Sequence, residues 1–186
     1  MDGEKFIFCL EAVDDVEKTR ATEVVTFLEK LVFEQGIGSI YKTCDTIEGL
    51  EESLNALIYD DHNFKNYEII YLVMPGEENS IRLNGYYYSM EEIAELFEGK
   101  LKGKILHFAN EKALDLTSEE AQYFLDITNA KAISGYGNAY GKQSSSGLDR
   151  AFFSLFDDSD DVIDIVEELH VKYFALCKLL DFRLYY

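Results

Sequence analysis

The sequence predicts an α/β protein: a three-layer α/β/α sandwich around a doubly wound, mostly parallel sheet of about five main strands, with a small β-hairpin added. Two observations carry this. Strand-like and helix-like segments alternate along the chain, the helices running to about ten residues or more, which calls for parallel strands joined by right-handed crossovers. In addition, Y-E-I-I-Y-L-V-M, Tyr67 to Met74, is apolar almost without interruption, the pattern of a strand buried on both faces. No linker or repeat divides the chain, so residues 1–186 are read as a single domain.

The elements follow in order. Lys5 to Val13 reads as the first strand. Val16 to Gln35 reads as a helix, with Val24, Val25, Phe27, Leu28, Leu31 and Val32 at helical spacing and a close at Gly36. Ile37 to Asp45 is a second short strand, and Thr46 opens a helix whose stripe is Ile47, Leu50, Leu54, Leu57 and Ile58. After the third strand, Tyr67 to Met74, the Asn84-Gly85 pair signals a hairpin. Ser89 with Glu92 forms a capping box for a helix over Met90 to Phe97. Lys104 to Ala109 is the fourth main strand, Thr117 with Glu120 caps the next helix, and Ala130 to Ser134 is the fifth strand. The glycine- and serine-rich run from Gly135 to Gly147 reads as a mobile loop, followed by helices over Leu148 to Phe156 and Asp161 to Leu180. The apolar tail L-L-D-F-R-L-Y-Y fits an extra edge strand, a helix end or a surface that docks on a partner chain.

Composition narrows the function classes. Apolar residues make up 47% of the chain, with 13 Phe and 13 Tyr, so a packed core is expected. There is no long apolar run of membrane-spanning length, and the first residues are acidic where a signal peptide is basic, so a soluble protein with no membrane role is expected. The formal charge of −19, from 36 Asp and Glu against 17 Lys and Arg, repels phosphate backbones and argues against nucleic acid as a partner. Cys9, Cys44 and Cys177 are odd in number and far apart, which implies neither a disulfide framework nor a zinc site and fits a reducing cytoplasm. No metal or other cofactor is expected. D-D-S-D-D, Asp157 to Asp161, lacks the glycine and distal glutamate of an EF-hand loop and reads as a solvated turn capping the last helix. Gly135, Gly137 and Gly141 form no phosphate-binding fingerprint, and period-2 burial accounts for two of the three tyrosines at 86–88.

Chemistry is expected beyond the carboxyl ends of the strands, where Cys9–Asp15, Cys44–Asp45, Met74–Glu78, Ala109–Lys112 and Ser134–Asn138 should converge. Pro75, the one proline, stands there at the end of the most apolar strand. A phosphoacceptor receiver domain resembles the chain in Asp14, Asp15 and the M-P-G of residues 74–76. Its phosphorylated aspartate, however, would fall on Tyr71, and Ser134-Gly135 stand in place of its lysine-proline pair. The stretch from residue 67 to 156 resembles the caspase-like cysteine peptidases, the bacterial CHAT branch above all. It runs from Y-E-I-I-Y-L-V-M-P-G through a hairpin and a capped helix to L-K-G-K-I-L-H-F-A-N-E, and then to A-K-A-I-S-G-Y-G. The resemblance puts the catalytic histidine position at Pro75 and the cysteine position at Glu111, or at Asn110 with a one-residue slip. Proline moves no proton and a carboxylate cannot replace a thiolate, so the resemblance implies a pseudo-peptidase that acts by binding.

The expected ligand crevice comprises Pro75, Gly76, Asn110, Glu111, Ser134 and Tyr136, with no catalytic residue. The expected partner is a protein or peptide, and Glu111 would attract a basic group. The alternatives are a hydrolase that draws an unrecognised constellation from Cys9, Cys44, His107 and Glu111, and a degenerate receiver-like signalling module. His107, about 13 Å along the strand from Glu111, reads as a core histidine satisfied by hydrogen bonds, and Cys9 and Cys44 read as small buried residues.

Overall fold

The computed structural model describes residues 6–18, 22–109, 114–138 and 144–186. Its centre is a mostly parallel sheet with helices on both faces, a three-layer α/β/α sandwich. Strands β1 (Phe6–Ala12), β2 (Gly38–Cys44), β3 (Tyr67–Val73), β6 (Ile105–Ala109) and β7 (Ala132–Tyr136) are parallel. The strand β8 (Phe182–Tyr185) adds to the edge antiparallel to β7, so the order is β2-β1-β3-β6-β7-β8. A separate hairpin is formed by β4 (Ser80–Leu83) and β5 (Tyr86–Ser89).

Strand alternation sorts the core into two layers. Phe8, Leu10, Ile70, Leu72, Leu106, Phe108 and Ile133 face one way. They meet α2 (Ile47–Asp60), α3 (Met90–Leu96) and α4 (Ser118–Thr128). The intervening residues, among them Ile7, Cys9, Ile69, Tyr71, Ile105 and Tyr136, face α1 (Glu23–Gln35), α5 (Ser146–Asp158) and α6 (Val162–Leu180). Burial on both faces explains why β3 is apolar almost without interruption and β6 is apolar apart from His107. The caps behave as their residues dictate: Ser89 with Glu92 and Thr117 with Glu120 each form a complete capping box, and the Thr46 hydroxyl accepts from the Gly49 amide.

Several boundaries differ from the sequence reading, each for a local reason. Between Val16 and Gln35 the chain forms a short 3-10 turn, Val16–Lys18, in which Asp15 accepts from the Glu17 amide; α1 begins only at Glu23, after the N-cap Thr22. The fifth parallel strand starts at Ala132 rather than Ala130 because Asn129 closes α4 in the left-handed conformation and the Lys131 amide turns back to the Lys104 carbonyl. Gly135 and Tyr136, read as loop, therefore belong to β7, and Ser146 and Gly147 open α5. Of the tyrosines at 86–88 only Tyr88 packs against the core; Tyr86 and Tyr87 are exposed, because the two-stranded hairpin has an open outer face. The C-terminal tail is the edge strand β8. Asp161 caps α6 by accepting from the Ile163 amide.

The hairpin is built to lie against the end of β3. Gly76 bridges to Ile81, and the Arg82 amide donates to the Pro75 carbonyl at 2.7 Å. Glu78 and Asn79 take φ of 51° and 63°, as do Asn84 and Gly85 at 49° and 80°, so both reversals are tight two-residue turns. Any side chain at residue 76 would place its Cβ 2.2 Å from the Ser80 carbonyl oxygen. Replacing Gly76 by Ala should lower stability by about 1–3 kcal/mol in urea denaturation. Gly147→Ala, whose Cβ meets nothing within 4 Å, should be neutral or slightly stabilising in the same measurement.

Candidate functional site

Two features of the sheet bear on function: a closed polar cluster beneath α5 and an open crevice at the carboxyl ends of β1 and β3. Register builds the first. Tyr71 pairs with His107, and His107 with Ser134, so the three side chains form one row across the sheet on the side that faces α5. Asp149, in the first turn of α5, descends onto that row. Its Oδ1 accepts from His107 Nε2 at 2.6 Å and from the Tyr136 hydroxyl; its Oδ2 accepts from Tyr71 at 2.9 Å and Ser145 at 2.8 Å. Four donors thus occupy the lone-pair positions of one buried carboxylate.

The far side of the imidazole, Nδ1, lies 2.8 Å from Ser134 Oγ. Because Nε2 faces a carboxylate it carries a hydrogen, and in the neutral ring Nδ1 accepts from Ser134. The rings of Tyr71, Phe152 and Phe153 surround the imidazole at 5.8, 5.1 and 5.4 Å. His107 and Asp149 are both 0% exposed.

Serine, histidine and aspartate in one chain of hydrogen bonds are the members of a hydrolytic triad, but the arrangement here is a different object. The serine meets Nδ1 and the aspartate Nε2, the reverse of the serine-protease assignment. Ser134 is itself 0% exposed, so no substrate carbonyl reaches its hydroxyl. The thiols are equally enclosed: Cys9, Cys44 and Cys177 are free and buried. Burial raises the Cys9 thiol, with the charges of Glu11 and Asp149 adding to the effect. Burial, with Asp45 adding to it, pushes Cys44 up to about 12, and burial pushes Cys177 up to about 11. Among the described residues none of the three is hydrogen-bonded to a histidine; the Cys177 thiol faces the Leu169 carbonyl. His170 bonds to the Val166 carbonyl of its own helix.

The second feature lies where strand order reverses. β2 adds to one side of β1 and β3 to the other, so the chain leaves the two neighbouring strand ends in opposite directions and a crevice opens between them. Its volume is about 340 Å³, and it is lined by Ala12, Val13 and Asp14 after β1, by Pro75 after β3, and by Arg82 to Gly85 of the hairpin. The crevice is held from both sides. The Val13 amide bonds to the Cys44 carbonyl, and Asn79 exchanges two hydrogen bonds with the backbone of Asp115. Asp115 pairs in turn with Arg183 of β8.

The residues named from the sequence thus separate. Pro75 lines the crevice and Gly76 supports it. Ser134 and Tyr136 lie inside the protein, bonded to His107 and Asp149, because β7 turns residues 132, 134 and 136 toward α5. Asn110 and Glu111 lie outside the described residues. Sequence reasoning missed Asp149 and Arg82. The signal for Asp149 was an acid beside the apolar face A-F-F of a helix while a histidine sat in an otherwise apolar strand, each requiring a buried partner.

The chain matches a family model over residues 4–186. It belongs to the family of unknown function DUF6642. A search among curated proteins finds no match. In this DUF6642 chain, no helix among the described residues is long and apolar enough to cross a membrane.

Removing the acid at the hub should be far more damaging than removing a peripheral hydroxyl. Asp149→Ala leaves four donors without their acceptor and should cost about 3–5 kcal/mol in urea denaturation, against about 1 kcal/mol for Ser134→Ala. The hub also sets an alkaline limit. Burial first, and the Asp149 charge second, raise Tyr71 and Tyr136 well above the usual phenol range. A group whose folded pKa is raised stabilises the fold below its unfolded pKa, and that stability is lost as pH rises past it. Stability should therefore fall as pH climbs through about 9–11, where unfolded thiols and phenols ionise, and Tyr71→Phe should flatten the slope.

Proposed function

We propose that this chain is a non-catalytic recognition domain of caspase-like descent that binds an extended segment of a partner protein in the crevice between β1 and β3. The observation that carries the reading is the division of groups between the two features. The candidate nucleophiles and His107 are enclosed, whereas the open crevice presents Pro75, Asp14 and Arg82. The order of elements from β3 through the hairpin and the capped α3 to β6 and β7 agrees with the order in the caspase-like stretch of the sequence. In that resemblance Pro75 stands at the histidine position, on the rim of the crevice, with a shape for binding and no group for proton transfer. Three unpaired thiols suit action in the reducing cytoplasm.

The test is retention on an array of degenerate short peptides. Wild type should bind a subset, and Val13→Trp, which fills the crevice, should abolish that binding. Val171→Trp, on the exposed face of α6, should leave it intact. Unchanged binding by Val13→Trp would sink the reading. So would labelling of one cysteine by a thiol-reactive peptide probe that a histidine substitution prevents.

A further inference from the structure

Arg82 distinguishes the crevice from the rest of a strongly acidic surface. The described residues contain three arginines. Arg150 is paired with Glu34, and Arg183 with Asp115 and Asp181. Arg82 is exposed on the wall of the crevice, and among the described residues its guanidinium has no ion-pair or hydrogen-bond partner. In a chain with 36 acids for 17 basic residues, a guanidinium without a carboxylate calls for an explanation. Asp14 lines the same crevice, and among the described residues no ion pair joins it to Arg82.

The position is rigid. The Arg82 amide is bonded to the Pro75 carbonyl, its neighbours Ile81 and Leu83 are anchored in the core, and the turn at Asn84-Gly85 follows directly. Directly across the hairpin from Arg82 is Tyr87, 51% exposed. Cross-strand partners share a face, so the Tyr87 phenol stands on the same face of the hairpin as the guanidinium that lines the crevice. Arginine and tyrosine are, with tryptophan, enriched among the residues that anchor protein–protein contacts, and the planar guanidinium matches a carboxylate through two parallel hydrogen bonds.

We infer that Arg82, with Tyr87 beside it, reads a carboxylate on the bound segment: the side chain of an Asp or Glu within an extended stretch of a partner protein. This rests on the recognition reading above and names the chemistry of its ligand. Charge complementarity selects the occupant, since the crevice offers a free cation. A second copy of this chain, also at −19, would meet long-range repulsion on approach.

The experiment uses the same peptide arrays, with Glu, Gln or Lys fixed at the central position and amidated ends, and one further Gln set with a free C-terminus. Glu peptides should bind wild type about tenfold more tightly than Gln peptides. Arg82→Gln should erase that difference, Arg82→Lys should keep part of it, and added salt should weaken binding only where Arg82 is present. Binding sensitive to Val13→Trp but indifferent to the central charge, or favouring Lys, would overturn the inference and leave the recognition reading standing. Preference for the free C-terminus, or a dimer that Arg82→Gln dissolves, would overturn the occupant named here. If wild type shows no peptide binding that Val13→Trp abolishes, both readings are overturned.

Discussion

A single buried carboxylate organises the α5 side of this sheet. Taking an ionised acid out of water costs several kcal/mol, and only a full set of donors offsets it. Asp149 finds its donors on three strands and its own helix: Tyr71 from β3, His107 from β6, Tyr136 from β7 and Ser145 at the start of α5. The requirement is strict about register. A slip of one residue in any of these strands would turn its donor to the opposite face and leave the acid short of a partner. The cluster's main effect is therefore to select one alignment of three strands and one seat for α5, beyond whatever it adds to stability.

The crevice on the other side of β3 follows the opposite logic. Its walls are strand ends and a hairpin whose polar groups face water, and its shape comes from backbone: two tight turns, a glycine that lets strands touch, and the Pro75 carbonyl holding Arg82. The three thiols, His107 and Ser134 are enclosed, whereas Asp14 and Arg82 on the crevice are exposed. Under the recognition reading proposed above, the enclosed polar cluster supplies rigidity and the open charged wall supplies selectivity.

Much of this was legible in the sequence. Alternating patterns gave the layer architecture, and the capping boxes at Ser89 and Thr117 and the Asn84-Gly85 turn appear where their residues place them. Pro75 lies on the crevice rim because strand direction alone puts it there. What escaped were facts of pairing. That Ser134 and Tyr136 point toward α5 depends on the register in which β7 pairs with β6, His107 opposite Ser134, and on the strand continuing through Tyr136 where the sequence suggests a loop. The partnership of His107 with Asp149 spans 42 residues, and no local periodicity encodes it. Arg82 was passed over because an isolated arginine in a short strand is unremarkable until every other described arginine proves to be paired.

The distances along the chain within the cluster have a consequence for how the molecule assembles. Tyr71 and Asp149 are 78 residues apart, so the acid joins its donors only after β3, β6 and β7 have aligned and α5 has docked. Closing contacts of such long separation carries a loop-closure cost and makes the cluster part of the non-local, slower-forming share of the fold. Until then the row of phenol, imidazole and hydroxyl on the half-built sheet is open to water and hydrogen-bonded to it. The row that demands Asp149 in the finished protein therefore keeps an unfinished sheet face wet, which lowers the tendency of half-folded chains to stick to one another.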